Sequence, residues 1–174
     1  DRLMGNHEQI MLLAAAGGPY AHRARELWLT ARMGGHRVLD EMRAATGAPA
    51  AALDQALLTA SLGRRVVYCL NAMRSHVRLG NTVFVHGGLD PAAEPDEFLA
   101  RPWTSFTDAR WAWINRGFLD WRDGFNGLLV VHGHTPARTP EVRPHRIGID
   151  TGAVLGGMLT CVVLEEGDIA FLQA

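Results

Sequence analysis

The sequence predicts an α/β fold, and three observations carry that reading. Between Gln9 and His76 the chain is rich in Ala, Leu, Met, Arg and Glu and is broken only by glycine and proline, as a helical block would be. From Thr82 onward, short β-branched and apolar runs take over. Three hydrophobic runs also close in the same way, on glycine beside a ligand-capable side chain: Leu3-Met4-Gly5-Asn6-His7-Glu8, Phe84-Val85-His86-Gly87-Gly88 and Val130-Val131-His132-Gly133-His134-Thr135. That is the pattern of buried strands whose carboxyl ends open into an active-site loop, where glycine lets the backbone turn and lets an ion or oxyanion approach.

In order along the chain, Leu3-Met4 leads as a strand into the first of these motifs. Because the sequence starts at Asp1 without an initiator Met and enters a core element at once, it reads as a fragment with an upstream part missing. About four helical segments follow, with boundaries good to about 2–4 residues. The first runs from Gln9 through Gly17-Gly18-Pro19 into Ala21–Arg32, and Gly34-Gly35 breaks it. The second spans His36 to Ala45, the third follows Thr46-Gly47-Ala48-Pro49 and ends near Gly63, and the fourth covers Arg65 to His76. Strands are expected at Thr82–Val85, Leu128–Val131, Ile147–Ile149, Leu159–Leu164 and Ile169–Leu172, with a Trp-rich helix near Asp108–Leu119.

Composition narrows the function. With 174 residues and 48% hydrophobic content there is material for one sizeable core. A formal net charge of -1, from 17 basic and 18 acidic residues in mixed order, gives no electrostatic footprint for nucleic acid or an anionic membrane. Cys69 and Cys161 both lie in apolar stretches, so two buried thiols in a reducing cytoplasm are expected. No apolar tract approaches the length of a membrane span. The sequence is silent on oligomeric state.

Asn6, His86 and His134 are the candidate metal ligands. An amide oxygen and two imidazoles make a site of intermediate hardness, suited to Mn²⁺, Fe, Zn²⁺ or Co²⁺ and poorly suited to Ca²⁺. Three protein ligands leave positions open for water and a phosphoryl oxygen. His7 is the candidate acid, able to protonate a departing oxygen. His132 lies two residues from His134, and on a continuing strand both would face one metal. Gly133 favours a turn, which makes His134 the preferred ligand and leaves His132 near the phosphate or structural. His22, His36 and His76 fall in expected helices and His145 in a loop, and all four read as ordinary polar residues.

Gly5-Asn6-His7-Glu8, His86-Gly87-Gly88 and Gly133-His134-Thr135 resemble the later signature motifs of the phosphoprotein phosphatase family within the calcineurin-like metallophosphoesterases. Trp113-Ile114-Asn115-Arg116-Gly117-Phe118-Leu119 and Arg146-Ile147-Gly148-Ile149-Asp150-Thr151-Gly152-Ala153-Val154 extend the likeness to bacterial serine/threonine-type members over nearly the whole chain.

The resemblance implies a β-sandwich flanked by helices, two divalent metals with Mn²⁺ foremost, and attack of a metal-bound hydroxide on phosphorus. It implies that Asn6, His86 and His134 bind the second metal and that His7 is the acid. The family's Asp-x-His and Gly-Asp-x-x-Asp-Arg-Gly motifs, which supply the first metal site, are absent. The chain therefore reads as the carboxy-terminal part, residues 1–174, of a single metallophosphoesterase domain that carries a helical block at about 9–76.

Where related sequences place a phosphate-holding arginine, this chain has Asn115 followed by Arg116, about 100° further round a helix. Arg116 is a minor candidate for phosphate contact. Asp150 is a candidate to orient a ligand histidine, and equally a turn former. Trp103, Trp111, Trp113 and Trp121 flank the presumed site and read as core rather than as a substrate platform.

The expected activity is phosphoester hydrolysis on phosphoserine or phosphothreonine. Symmetrical diadenosine tetraphosphate hydrolases, which resemble the chain in the same motifs, are the first alternative. A non-catalytic binding or regulatory relic is the second, should the chain be complete. The partners are thus a phosphoprotein or a small phosphoester, with no nucleic acid and no membrane.

Overall fold

The computed structural model describes residues 1–103 and 116–174, with the side chain of Arg116 excepted. Asn115, Trp111, Trp113 and most of the expected Trp-rich helix lie outside the described residues. The chain divides into two compact units, Arg2–Arg74 and Ser75–Ala174 with Asp1.

The first unit is helical: α1 (Asn6–Ala16), α2 (Ala21–Trp28), α3 (Gly35–Thr46), α4 (Gln55–Leu62) and α5 (Arg64–Asn71). Helix α1 is apolar on most of its surface and buries Ile10, Leu12, Leu13, Ala14 and Ala15, so it is the element the others cover. It packs on α2 and α4, and α4 also meets α3 and α5. Arg25 donates to the carbonyls of Ala14 (3.2 Å) and Leu53 (3.1 Å), satisfying backbone oxygens at a helix end and a loop. Asp54 caps α4 through Leu57 N at 2.8 Å. Gly35 starts α3 where a Cβ would stand 2.4 Å from the carbonyl oxygen of Trp28.

Two expectations change in this unit. Leu3 forms only an isolated bridge to Arg74, and the helix begins at Asn6 rather than Gln9, because Gly5 caps it in an extended conformation. Asn6 and His7 therefore open a helix. The last helix stops at Asn71, so His76 is the first residue of a strand and not a helical residue.

The second unit holds a five-stranded sheet of β1 (His76–Leu79), β2 (Thr82–Val85), β3 (Leu129–His132), β4 (Glu141–Arg143) and β5 (Arg146–Gly148), in the order β1-β2-β3-β5-β4. The three central strands β2, β3 and β5 are parallel, and the flanking β1 and β4 pair antiparallel to them. Central parallel strands are buried on both faces, and Val83, Val85, Val130, Val131 and Ile147 are accordingly all buried. Short helices α6 (Pro95–Leu99) and α7 (Arg116–Asp120) contribute Phe98 and Phe118, both fully buried.

A separate hairpin of β6 (Thr160–Glu165) and β7 (Asp168–Gln173) ends the chain. Its turn residues Glu166 (φ 49°) and Gly167 (φ 92°) are both left-handed, as a two-residue hairpin turn requires. Alternation along β6 turns Cys161 outward, and Cys69 is half-buried on α5, so neither is the buried thiol that the sequence suggests. Among the described residues no helix is long and apolar enough to cross a membrane.

Candidate functional site

The register of the parallel strands decides which residues meet. Val85 pairs with His132, and His132 pairs with Gly148, so β2, β3 and β5 end level at one sheet edge. The crevice outside the carboxyl ends of parallel strands is where α/β sheets bind ligands. His86 follows β2 directly, His134 lies two residues beyond β3, and Asp150 lies two beyond β5. Gly133 N donates to the His86 carbonyl at 2.9 Å and Ile149 N to the His132 carbonyl at 2.9 Å, which lock the three loops together.

The turn expected at Gly133 is present, but the left-handed residue is His134, with φ 69°. Thr135 N donates to Gly133 O at 2.8 Å, closing a γ-turn around His134. A non-glycine residue held there costs about 1–3 kcal/mol, a strain met at sites where side-chain direction matters. The turn separates the two histidines that a continuous strand would have aligned. The His134 ring approaches that of His86, with centroids 5.0 Å apart and planes at 62°.

That spacing suits one shared ion. With metal–nitrogen bonds of about 2.1 Å and about 1.1 Å from nitrogen to ring centre, two imidazoles at roughly 90–109° have centroids about 4.5–5.2 Å apart. Both residues are half-buried. Among the described residues no three His, Cys, Asp or Glu side chains gather at metal-binding distance. A cation shared by the two rings would need further ligands. Asn6, buried to 5% exposure, and the exposed His7 stand on the first turn of α1 in the helical unit.

His132 has a different setting. It is buried, its ring meets Phe118 edge-on at 4.8 Å, and Gly148 leaves room for it, since a Cβ there would lie 3.3 Å from the ring. Arg146 Nη1 approaches its Nε2 at 3.4 Å, and its Nδ1 lies 3.2 Å from Gly133 O. An arginine cannot accept, so Nε2 is the acceptor and Nδ1 carries the proton donated to the carbonyl. Burial pulls the His132 pKa down to about 4; the Gly133 hydrogen bond opposes this and the Arg146 cation adds to it.

Arg146, only 3% exposed, donates to Glu141 Oε2 at 2.7 Å and to Leu119 O at 3.2 Å. Glu141 also accepts from Arg143 at 2.7 Å, and the two arginines hold its carboxyl below the usual carboxylate range. The sequence analysis names Arg146 only as the head of a motif stretch and does not name Glu141. The only signal was a charged residue at the head of the apolar run Ile147-Gly148-Ile149. Asp150 accepts from Gly152 N at 3.0 Å, the turn-forming arrangement. Arg116 is the first residue of α7.

No family model matches the sequence. A stretch of 48 residues is 46% identical to the asymmetrical bis(5'-nucleosyl)-tetraphosphatase PrpE of Bacillus thuringiensis (strain Al Hakam), covering 27% of this chain and 20% of that protein. The PrpE of Bacillus cereus (strain AH187) is 43% identical over 51 residues, covering 29% and 21%. The chain thus matches only about a fifth of the length of these curated relatives. A crystal structure of a candidate diadenosine tetraphosphatase overlaps 90% of this chain and 75% of that one, with a TM-score of 0.46 and 19% identity.

Proposed function

We propose that this chain is the carboxy-terminal part of a metallophosphoesterase domain and that the intact protein hydrolyses phosphoric esters with divalent metals, Mn²⁺ foremost. The observation that carries the reading is the level edge of β2, β3 and β5, where His86 and His134 stand 5.0 Å apart in an arrangement that fits one cation. A bound divalent ion supplies Lewis acidity towards a phosphoryl oxygen and towards water. The rest belongs to the chain's own groups. His86 and His134 would hold the cation, and the motif resemblance adds Asn6 as a neutral oxygen ligand. His7, exposed at the start of α1, is the residue the motif resemblance assigns to donate a proton to the leaving oxygen.

The first metal site, whose motifs this sequence lacks, belongs in this reading to residues outside it. On substrate, the names of the curated relatives favour a dinucleoside tetraphosphate, whereas the motifs first suggest phosphoserine or phosphothreonine. Both need attack of water on phosphorus, with an alkoxide leaving from the phosphomonoester and a nucleotide phosphate from the tetraphosphate's anhydride.

The test is competitive turnover of a phosphopeptide and a dinucleoside tetraphosphate by the Mn²⁺-loaded product of the uninterrupted reading frame. Hydrolysis of at least one is expected, abolished by chelation and lowered about 100-fold or more by His86→Ala or His134→Ala. Failure on both substrates, or variants as fast as the parent, would overturn the reading. Which substrate turns over selects between the two classes.

A further inference from the structure

We infer that His132 is a positioning residue: tied by Arg146 and Glu141, it holds the carbonyl of Gly133 and through it the γ-turn that aims His134 at His86. The inference rests on the metal reading only for what the aim is used for; the turn itself is independent of it.

A single oxygen links the turn to the strand. Gly133 O accepts from Thr135 N at 2.8 Å and from His132 Nδ1 at 3.2 Å, so a single carbonyl both closes the turn and is held from the strand side. A γ-turn with positive φ at its central residue is strained, and it persists where its surroundings over-determine it. The ring that supplies the second bond cannot swing away. Arg146 stands at its far nitrogen, Phe118 lies edge-on to it, and Gly148 admits it to the sheet interior. Arg146 is fixed in turn by Glu141 on β4 and by the carbonyl of Leu119 on α7.

The direction of the hydrogen bonds gives the arrangement a definite sense. Arginine offers only donors, so Nε2 of His132 must accept, and the one proton of the neutral ring is then placed on Nδ1, facing Gly133 O. A ring in the other tautomer would present two lone pairs to each other and two donors to each other, and the turn would lose its support. A side chain that orients a metal ligand through such a contact changes metal affinity without touching the ion, typically by about 10–100-fold when removed.

The test uses the full chain, metal-free and then titrated with Co²⁺. Long-range ¹H–¹⁵N spectra should show His132 with its proton on Nδ1. His132→Phe keeps a ring of similar size but has no donor. It should speed exchange of the Thr135 amide about tenfold relative to the Val130 amide in the strand, and weaken Co²⁺ binding at His86 and His134 about tenfold. His132→Asn, whose amide N–H can stand near the Nδ1 position, should recover most of both. Ile147→Val, which loosens the sheet away from the turn, should leave the Thr135 to Val130 ratio unchanged.

A proton found on Nε2, or a Phe variant with the parental exchange ratio, overturns the inference. So does an Ile147→Val effect equal to that of Phe. If Co²⁺ shifts neither His86 nor His134 in the parent chain, the metal reading fails, while the exchange ratio still decides the role of His132.

Discussion

Acidifying the metal-free protein should weaken the sheet unit through His132, and the size of the effect follows from its setting. An unfolded histidine titrates near 6.5, whereas burial lowers the folded value to about 4. The unfolded chain therefore binds the proton first. The stabilisation is fully present above pH ~6.5 and is lost as pH falls towards ~4, at up to about 1.4 kcal/mol per pH unit. From pH 7 to pH 5 the loss comes to about 2 kcal/mol, and about 3 kcal/mol over the whole window.

The assay is urea unfolding at several pH values in a chelator, read from methyl signals of Val83, Val130 and Ile147, which report the sheet and not the helices. A loss of about 2 kcal/mol corresponds to a midpoint shift of about 1 M urea. His132→Asn should be flatter over the same range by that amount. A parent and variant with the same slope between pH 5 and 7 would refute the reasoning.

Three further outcomes are expected. Glu141→Gln leaves the Arg146 guanidinium buried with a weakened partner; because Glu141 is about one-third exposed (34%), the cost should be about 1–2 kcal/mol rather than the larger figure for a fully buried pair, seen as a lower urea midpoint. Gly88→Ala should cost about 3 kcal/mol or more, measurable by thermal unfolding, since φ is 125° and the new Cβ would stand 2.4 Å from the Phe118 ring. His7→Ala in the complete enzyme should slow alkyl phosphates far more than aryl phosphates, whose leaving oxygens scarcely need a proton; equal slowing would remove His7 from the acid role.

The sheet was legible where hydrophobicity is continuous. Thr82–Val85 is the observed β2, and the run at Leu128–Val131 is β3 displaced by one residue, because buried parallel strands are apolar on both faces. The strands β1 and β4 escaped notice for the opposite reason. His76-Val77-Arg78-Leu79 and Glu141-Val142-Arg143 flank the sheet, are half-polar and short, and owe their extension to antiparallel pairing with a neighbour.

The site shows the same division. His86 and His134 are marked by the glycines beside them, whereas the Glu141–Arg146–His132 set depends on a sheet register that brings three charged or polar residues from different strands together. Nothing local in the sequence announces a buried arginine. The first motif misled in a specific way: Leu3-Met4 reads as a strand, yet Gly5 starts a helix and Asn6 becomes its first residue.

The level ends of β2, β3 and β5 also set where the chain tolerates length changes. His86 is one residue past its strand and His134 two, so each ring's reach is counted from a fixed hydrogen-bonded rung, Val85 opposite His132. Inserting a residue between rung and ring would turn that ring away from its neighbour. The exposed stretch at Arg138 and Thr139 lies beyond the turn and before β4, where added residues leave both counts unchanged. Divergence in loop length should therefore collect there, while the distances from rung to histidine stay constant.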